Sequence, residues 1–263
     1  MKMIRNMILG LSLMIEMASG FEIDPFVEGT PLLETFSTNC LQMTQSQQIL
    51  KAYVMVGLES NFNNPKENLA KAIPIYDDRM HKVRDYFHKK LGSHKEAREA
   101  FDEAMSLWKE SKKMLETAPT KENALKIKKN FLVMIDKLLA GTQPLATPDL
   151  ELISLTGKLC RKPLEVTIDY LMRVWDIDVP NYKTDIEATI DNFHANLKTL
   201  GANKLNNEES KKLLKKSERG FKFFEFMYKS KSKYIPSLLS RKADDNFVII
   251  RDVKKVFKTQ ASK

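Results

Sequence analysis

The chain reads as though written twice, and that duplication constrains its fold more than any other feature. Around Tyr53 the sequence runs from Cys40 through Gln42, Gln47, Lys51 and Ala52 to the tyrosine. Around Tyr170 it runs from Gly157 through Lys158, Cys160 and Arg161 to a second tyrosine. Identity is low, but the order of events repeats. A polar-apolar helical stretch reaches a tyrosine and an apolar cluster, Val54, Met55 and Val56 against Leu171, Met172 and Val174. A turn rich in Asn and Pro follows, at 63–65 and again at 179–181. A second amphipathic stretch then places Ile73 and Tyr76 where the other copy has Ile190 and Phe193. The shift is about 117 residues, too long for a short-repeat solenoid and suited to duplicated modules.

The first twenty residues stand apart. Lys2 and Arg5 precede a short apolar run from Met7 to Ile15, and Ala18, Ser19 and Gly20 supply small residues for cleavage before Phe21. This pattern predicts a signal peptide over 1–20, being too short to span a bilayer, which takes roughly 18 or more apolar residues. Export to the periplasm is the expected consequence. The remaining length suits two modules, expected over 30–141 and 148–259, each able to bury a core. Only nine glycines occur in 263 residues, and Lys, Glu, Leu, Ala and Met abound, which favours helices over sheets. Two cysteines, Cys40 and Cys160, are too few for a disulfide scaffold. They are expected to stay unbridged, with each motif helix enclosed by its own module.

Periodicity predicts eight helices. The first covers Leu32 to Glu59. The second, Pro65 to Leu91, carries the stripe Leu69, Ile73, Tyr76, Met80, Val83 and Phe87 at i, i+3, i+4 and i+7 spacing, with Pro74 inside it. Gly92 closes it, and Ser93 with Glu96 forms the capping-box pattern of the third. That helix places Phe101, Ala104 and Trp108 inward, and the fourth spans Lys121 to Ala140. Prolines 144 and 148 mark the boundary between modules. The second module continues with helices from Asp149 to Asp176, Asn181 to Leu200, Asn207 to Lys231 and Asp244 to Lys258, with an irregular loop expected from Tyr234 to Arg241. Phe221, Phe223, Phe224, Phe226 and Tyr228 are expected to pack in the core or between modules. The predicted fold is all-α, two tandem antiparallel up-and-down four-helix bundles.

Charge is uneven. Residues 201–263 hold 17 Lys and Arg against 7 Asp and Glu, so the rest of the chain is near neutral. Lys211, Lys212, Lys215, Lys216 and Lys222 recur at helical spacings, with Lys229, Lys231 and Lys233 beyond them. They should form an exposed ridge, either a solvated face or a footprint for an anionic surface. No catalytic or phosphate-binding motif appears: GxSxG, Walker A and GxGxxG are all missing, as are CxxC spacings and paired Glu-x-x-His motifs. His81 and His88 share a helix face without a third ligand in sequence, and the methionines fall at core-like spacing. No enzyme, cofactor or metal is expected.

The two tyrosine-centred helices resemble the PilJ-type family, the N-terminal sensory domain of type IV pilus methyl-accepting chemotaxis transducers, related to the periplasmic domains of nitrate/nitrite sensor kinases. The second copy, Ile153 through Gly157 to Arg161, resembles the start of that family's first-helix motif. The first copy, with Ser46, Gln47, Lys51, Ala52 and Tyr53, resembles its end. Trp108 and Asn123 also fit family positions. The resemblance implies helical bundles and a ligand-binding role for Gln42, Gln47, Lys51, Tyr53, Gly157, Lys158, Arg161 and Tyr170. The arginine that contributes to anion binding in the nitrate sensors falls here on Met43 and Cys160, which cannot supply its bidentate fork. Arg161 is one position further along, a quarter-turn away on a helix, so nitrate is not the expected ligand. The expectation is an exported sensory module without an output domain, binding a small-molecule ligand or an envelope protein. The runner-up is an envelope structural or interaction protein working through its basic C-terminal module. An anionic membrane surface and a homodimer remain open as partners; nucleic acid is not expected.

Overall fold

The computed structural model describes residues 32–230 and 235–261. The leader expected over 1–20, and Lys231, Lys233 and Tyr234, lie outside them. The described residues form eight α-helices and no strand: α1 Leu32–Gly57, α2 Pro65–Leu91, α3 Lys95–Leu115, α4 Lys121–Thr142, α5 Pro148–Val174, α6 Tyr182–Gly201, α7 Glu208–Ser230 and α8 Pro236–Ala261. A single 3₁₀ turn, Gln143–Leu145, joins the two sets of four. Helices α1 to α4 close a ring in chain order, each packing on the next and α4 returning to α1. Helices α5 to α8 close a second ring in the same way. The chain is all-α, with the packing expected of two up-and-down bundles.

Local signals explain most element ends. The stripe on α2 from Leu69 to Phe87 is buried throughout, and the helix runs through Pro74. Pro65 occupies its first turn, where the missing N–H leaves no bond unmade. Gly92 ends it at φ 51°, a left-handed conformation. Thr120 and Thr147 cap α4 and α5, accepting from the backbone N–H of Asn123 and Leu150. The capping box expected at Ser93 does not form; His94 is the cap of α3 and its side chain makes no cap hydrogen bond. The loop expected from Tyr234 to Arg241 is helical from Pro236, which sits in the first turn of α8. Phe221 and Phe224 are buried as expected, but Phe226 is 62 % exposed, on the opposite face of α7.

The duplication is written into the backbone. Glu59 and Asn64 have positive φ, and so do Asp176 and Asn181, each displaced by 117 residues. Both motif helices end in the same Schellman turn. Ser60 N–H donates to Met55 O and Glu59 N–H to Val56 O; Ile177 N–H donates to Met172 O and Asp176 N–H to Arg173 O.

The halves do not enclose their motif helices separately. Helix α1 packs on α5 along its length, and the two run parallel and nearly in repeat register. Gly157, the counterpart of Cys40, lies against it: a Cβ at Gly157 would sit 3.1 Å from the Cys40 Cβ. Arg161 reaches Met43. The Trp175 indole rests on Gly57 so closely that any Cβ there would overlap the ring. Two buried ion pairs tie the halves reciprocally. Lys51 on α1 binds Asp244 on α8 at 2.5 Å, and Lys128 on α4 binds Asp169 on α5 at 2.5 Å. Each joins the motif helix of one half to the fourth helix of the other, so the halves are related by an approximate two-fold axis running between α1 and α5. The apolar cores follow this arrangement. Leu150, Ile153, Ile168, Leu171 and Met172 of α5 belong to the first core, while Leu159, Leu164 and Val166 belong to the second.

Candidate functional site

Helix α1 is unusual in being buried all round while rich in polar residues. From Thr35 to Met55 only Thr38 and Leu41 are not fully buried, yet the stretch includes Thr35, Ser37, Asn39, Gln42, Thr44, Gln45, Ser46, Gln47, Gln48 and Lys51. A helix with no solvent face is normally apolar. Here α2 covers Gln45 and α8 of the second half covers Lys51.

Some of these groups are satisfied locally. The hydroxyls of Thr44 and Ser46 donate to the carbonyls of Cys40 and Met43. Gln45 accepts from the buried guanidinium of Arg79 at 2.5 Å. Others are not. Both amide atoms of Asn39 and both of Gln42 lack a hydrogen-bond partner among the described residues, as does the Gln47 nitrogen. A buried polar group left unsatisfied costs about 1–3 kcal/mol, so this seam is destabilised as it stands.

Two cations share the seam. Arg161 is 5 % exposed and donates to the Met43 sulfur at 3.7 Å; its nearest carboxylate, Glu165, is 3.8 Å away and is itself held by Lys162 at 2.7 Å. Met43 occupies one face of α1 with Asn39, a turn earlier. Lys254 of α8 is 7 % exposed and, among the described residues, donates only to the Ser37 carbonyl, at 3.4 Å. Burial pushes its pKa down, with the neighbouring Cys160 and Cys40 acting against that shift. Burial likewise raises the thiols, Cys40 to about 11 and Cys160 to about 12. Both cysteines are free, but not because separate modules keep them apart: they face the same seam.

The expected site residues divide accordingly. Gln42, Gln47, Lys51, Gly157 and Arg161 are buried, Gly157 and Arg161 at the α1–α5 contact. Lys51 is committed to Asp244. Tyr53 is buried in the first half, its hydroxyl accepting from the Thr120 backbone N–H at 3.3 Å. Lys158 is exposed and Tyr170 half-buried. The quarter-turn offset that should have carried Arg161 away instead points it at Met43, because the second copy of the motif packs on the first. Asn39, Lys254 and Asp244 were missed; no local pattern marks them, and only the pairing of the halves brings them to α1. Among the described residues no group of three His, Cys, Asp or Glu could hold a metal, and no helix is long and apolar enough to cross a membrane. No protein-family model matches the chain, and comparison with curated proteins and with solved structures finds no match.

Proposed function

We propose that this chain is an exported sensory or solute-binding helical module that takes a small anion between its two motif helices. The observation that supports this reading is the burial in one seam of Arg161, whose nearest carboxylate is 3.8 Å away and already held by Lys162, and of Lys254, which donates to a backbone carbonyl, with the unpartnered amide of Asn39 on the Met43 face of α1. An anion there would offset the desolvation of both cations and accept from the amide N–H groups. The resemblance of the motif helices to PilJ-type sensory domains points the same way.

The test is a thermal-shift series on the folded chain in nitrate, sulfate, phosphate and acetate at constant ionic strength, with chloride as reference. A ligand that binds only the native state raises its melting temperature. At least one anion should do so in the wild type, and the shift should vanish in Arg161→Gln and shrink in Asn39→Leu. Identical melting temperatures in every anion would sink the reading. The runner-up would then stand: an envelope interaction protein, favoured by the exposed row Lys211, Lys212, Lys215, Lys216 and Lys222 on α7.

A further inference from the structure

A separate cleft opens where the turn after α1 meets α7 and α8. Its volume is about 760 Å³, within the range of roughly 300–1,000 Å³ common for small-molecule sites. Phe62 of the first half forms one wall; Val248 and Ile249 of α8 add apolar surface on the other. The charge around it is unbalanced. Lys216, Arg241 and Lys242 line it, and none has a carboxylate within ion-pairing distance among the described residues. Of the two acids in the lining, Asp244 is already neutralised by Lys51 at 2.5 Å, leaving the exposed Asp245 as the one negative group against three positive ones. Arg241 is pre-positioned, its guanidinium lying over the Phe62 ring at 5.5 Å. Asn246 is also fixed, accepting from the Ser217 hydroxyl at 2.7 Å and donating to the Ser217 carbonyl. A stacked arginine and two unpaired lysines over an apolar wall form a site for a molecule with an acidic head and an apolar body.

We infer that this cleft is a second binding site, for an organic anion whose carboxylate or phosphate head meets Lys216, Arg241 and Lys242 while its apolar part lies against Phe62, Val248 and Ile249. The site is independent of the anion seam, because none of its lining residues belongs to the α1–α5 contact. It spans both halves, so a bound molecule would bridge them at the end of the axis where Lys51 meets Asp244.

Calorimetric titration of the folded chain with octyl phosphate and with octanoate tests this, with octanol and inorganic phosphate as the tail-only and head-only controls. At least one of the two amphiphilic anions should bind saturably at about 1 mM or tighter. Each control should bind at least about tenfold more weakly, octanol for want of the charge-assisted contact and inorganic phosphate for want of the buried apolar tail. The double variant Lys216→Gln, Lys242→Gln should lose about tenfold in affinity with its melting temperature unchanged, since neither lysine has a partner to lose. Arg161→Gln should bind both amphiphiles like wild type, whatever happens to the seam. The inference is overturned if octanol binds as well as the anions, if the double variant binds unchanged, or if neither amphiphile shows saturable binding.

Discussion

Lys254 shows what a seam of this kind does to a single residue. Its ammonium is buried and finds one carbonyl at 3.4 Å, so the fold disfavours its charged form. The folded pKa lies below the ordinary lysine value because of burial. The penalty is therefore full at low pH, and stability recovers as pH rises through the depressed value toward the unfolded one. Lys254→Met should stabilise the ligand-free protein by on the order of 1–4 kcal/mol, as replacing buried charges with apolar groups often does, and should remove that rise. Urea unfolding at pH 7 and pH 9.5 checks both; a destabilised variant would mean that the ammonium has a partner in the native state. The anion-dependent melting shift should disappear with the charge, so this variant would gain stability where it loses binding. The sequence disclosed residues of this sort unevenly. Gln42, Gln47 and Arg161 are visible because they sit in a repeated motif. Lys254 is invisible: it is one lysine among many in a basic segment, and only its distance from solvent sets it apart.

At the scale of elements, a helix is legible when one face is wet. The stripes on α2 and α3 survive intact, and Trp108 and Phe101 are buried where the spacing put them. Helix α1 could be found but its surroundings could not, because a helix covered on every side has no period to reveal which neighbour lies where. The ends of α1 and α5 were misread for a different reason. Glu59 and Asp176 take left-handed conformations, at φ 56° and 54°, in turns that usually carry glycine. An L-residue there costs roughly 1–2 kcal/mol. Glu59→Gly and Asp176→Gly should each stabilise the protein by about 1 kcal/mol, less the added entropy of the unfolded chain. The two effects should be similar in size, because the turns share one hydrogen-bond pattern. Denaturant midpoints for the two variants measure this, and a loss of stability in either would contradict the strain argument.

For the whole molecule, the consequence of a shared α5 is cooperativity. One helix lends its residues to both apolar cores, and two buried ion pairs cross between the halves, so neither half can unfold without exposing the other. Urea should unfold the chain in one transition by circular dichroism and tryptophan fluorescence alike, with Trp108 in the first half and Trp175 at the seam. Two separated transitions would show halves that stand alone. The duplication behind this arrangement was legible, down to its shift. The pairing was not, because it depends on close approaches at Gly57 and Gly157 that carry no periodic signal. The two ion pairs also say something about history. A lineage that began as two identical chains side by side would have placed like residues at like positions. Here the polarity is reversed: the cation is on the motif helix in one half and on the fourth helix in the other. Were the first half to meet a copy of itself, Lys51 would approach the Ile127–Lys128 step, cation toward cation. Were the second to do so, Asp169 would approach Asp244 and Asp245, anion toward anion. Each half thus presents charges that would repel in a pairing with its own copy, so the two ion pairs form only between unlike halves.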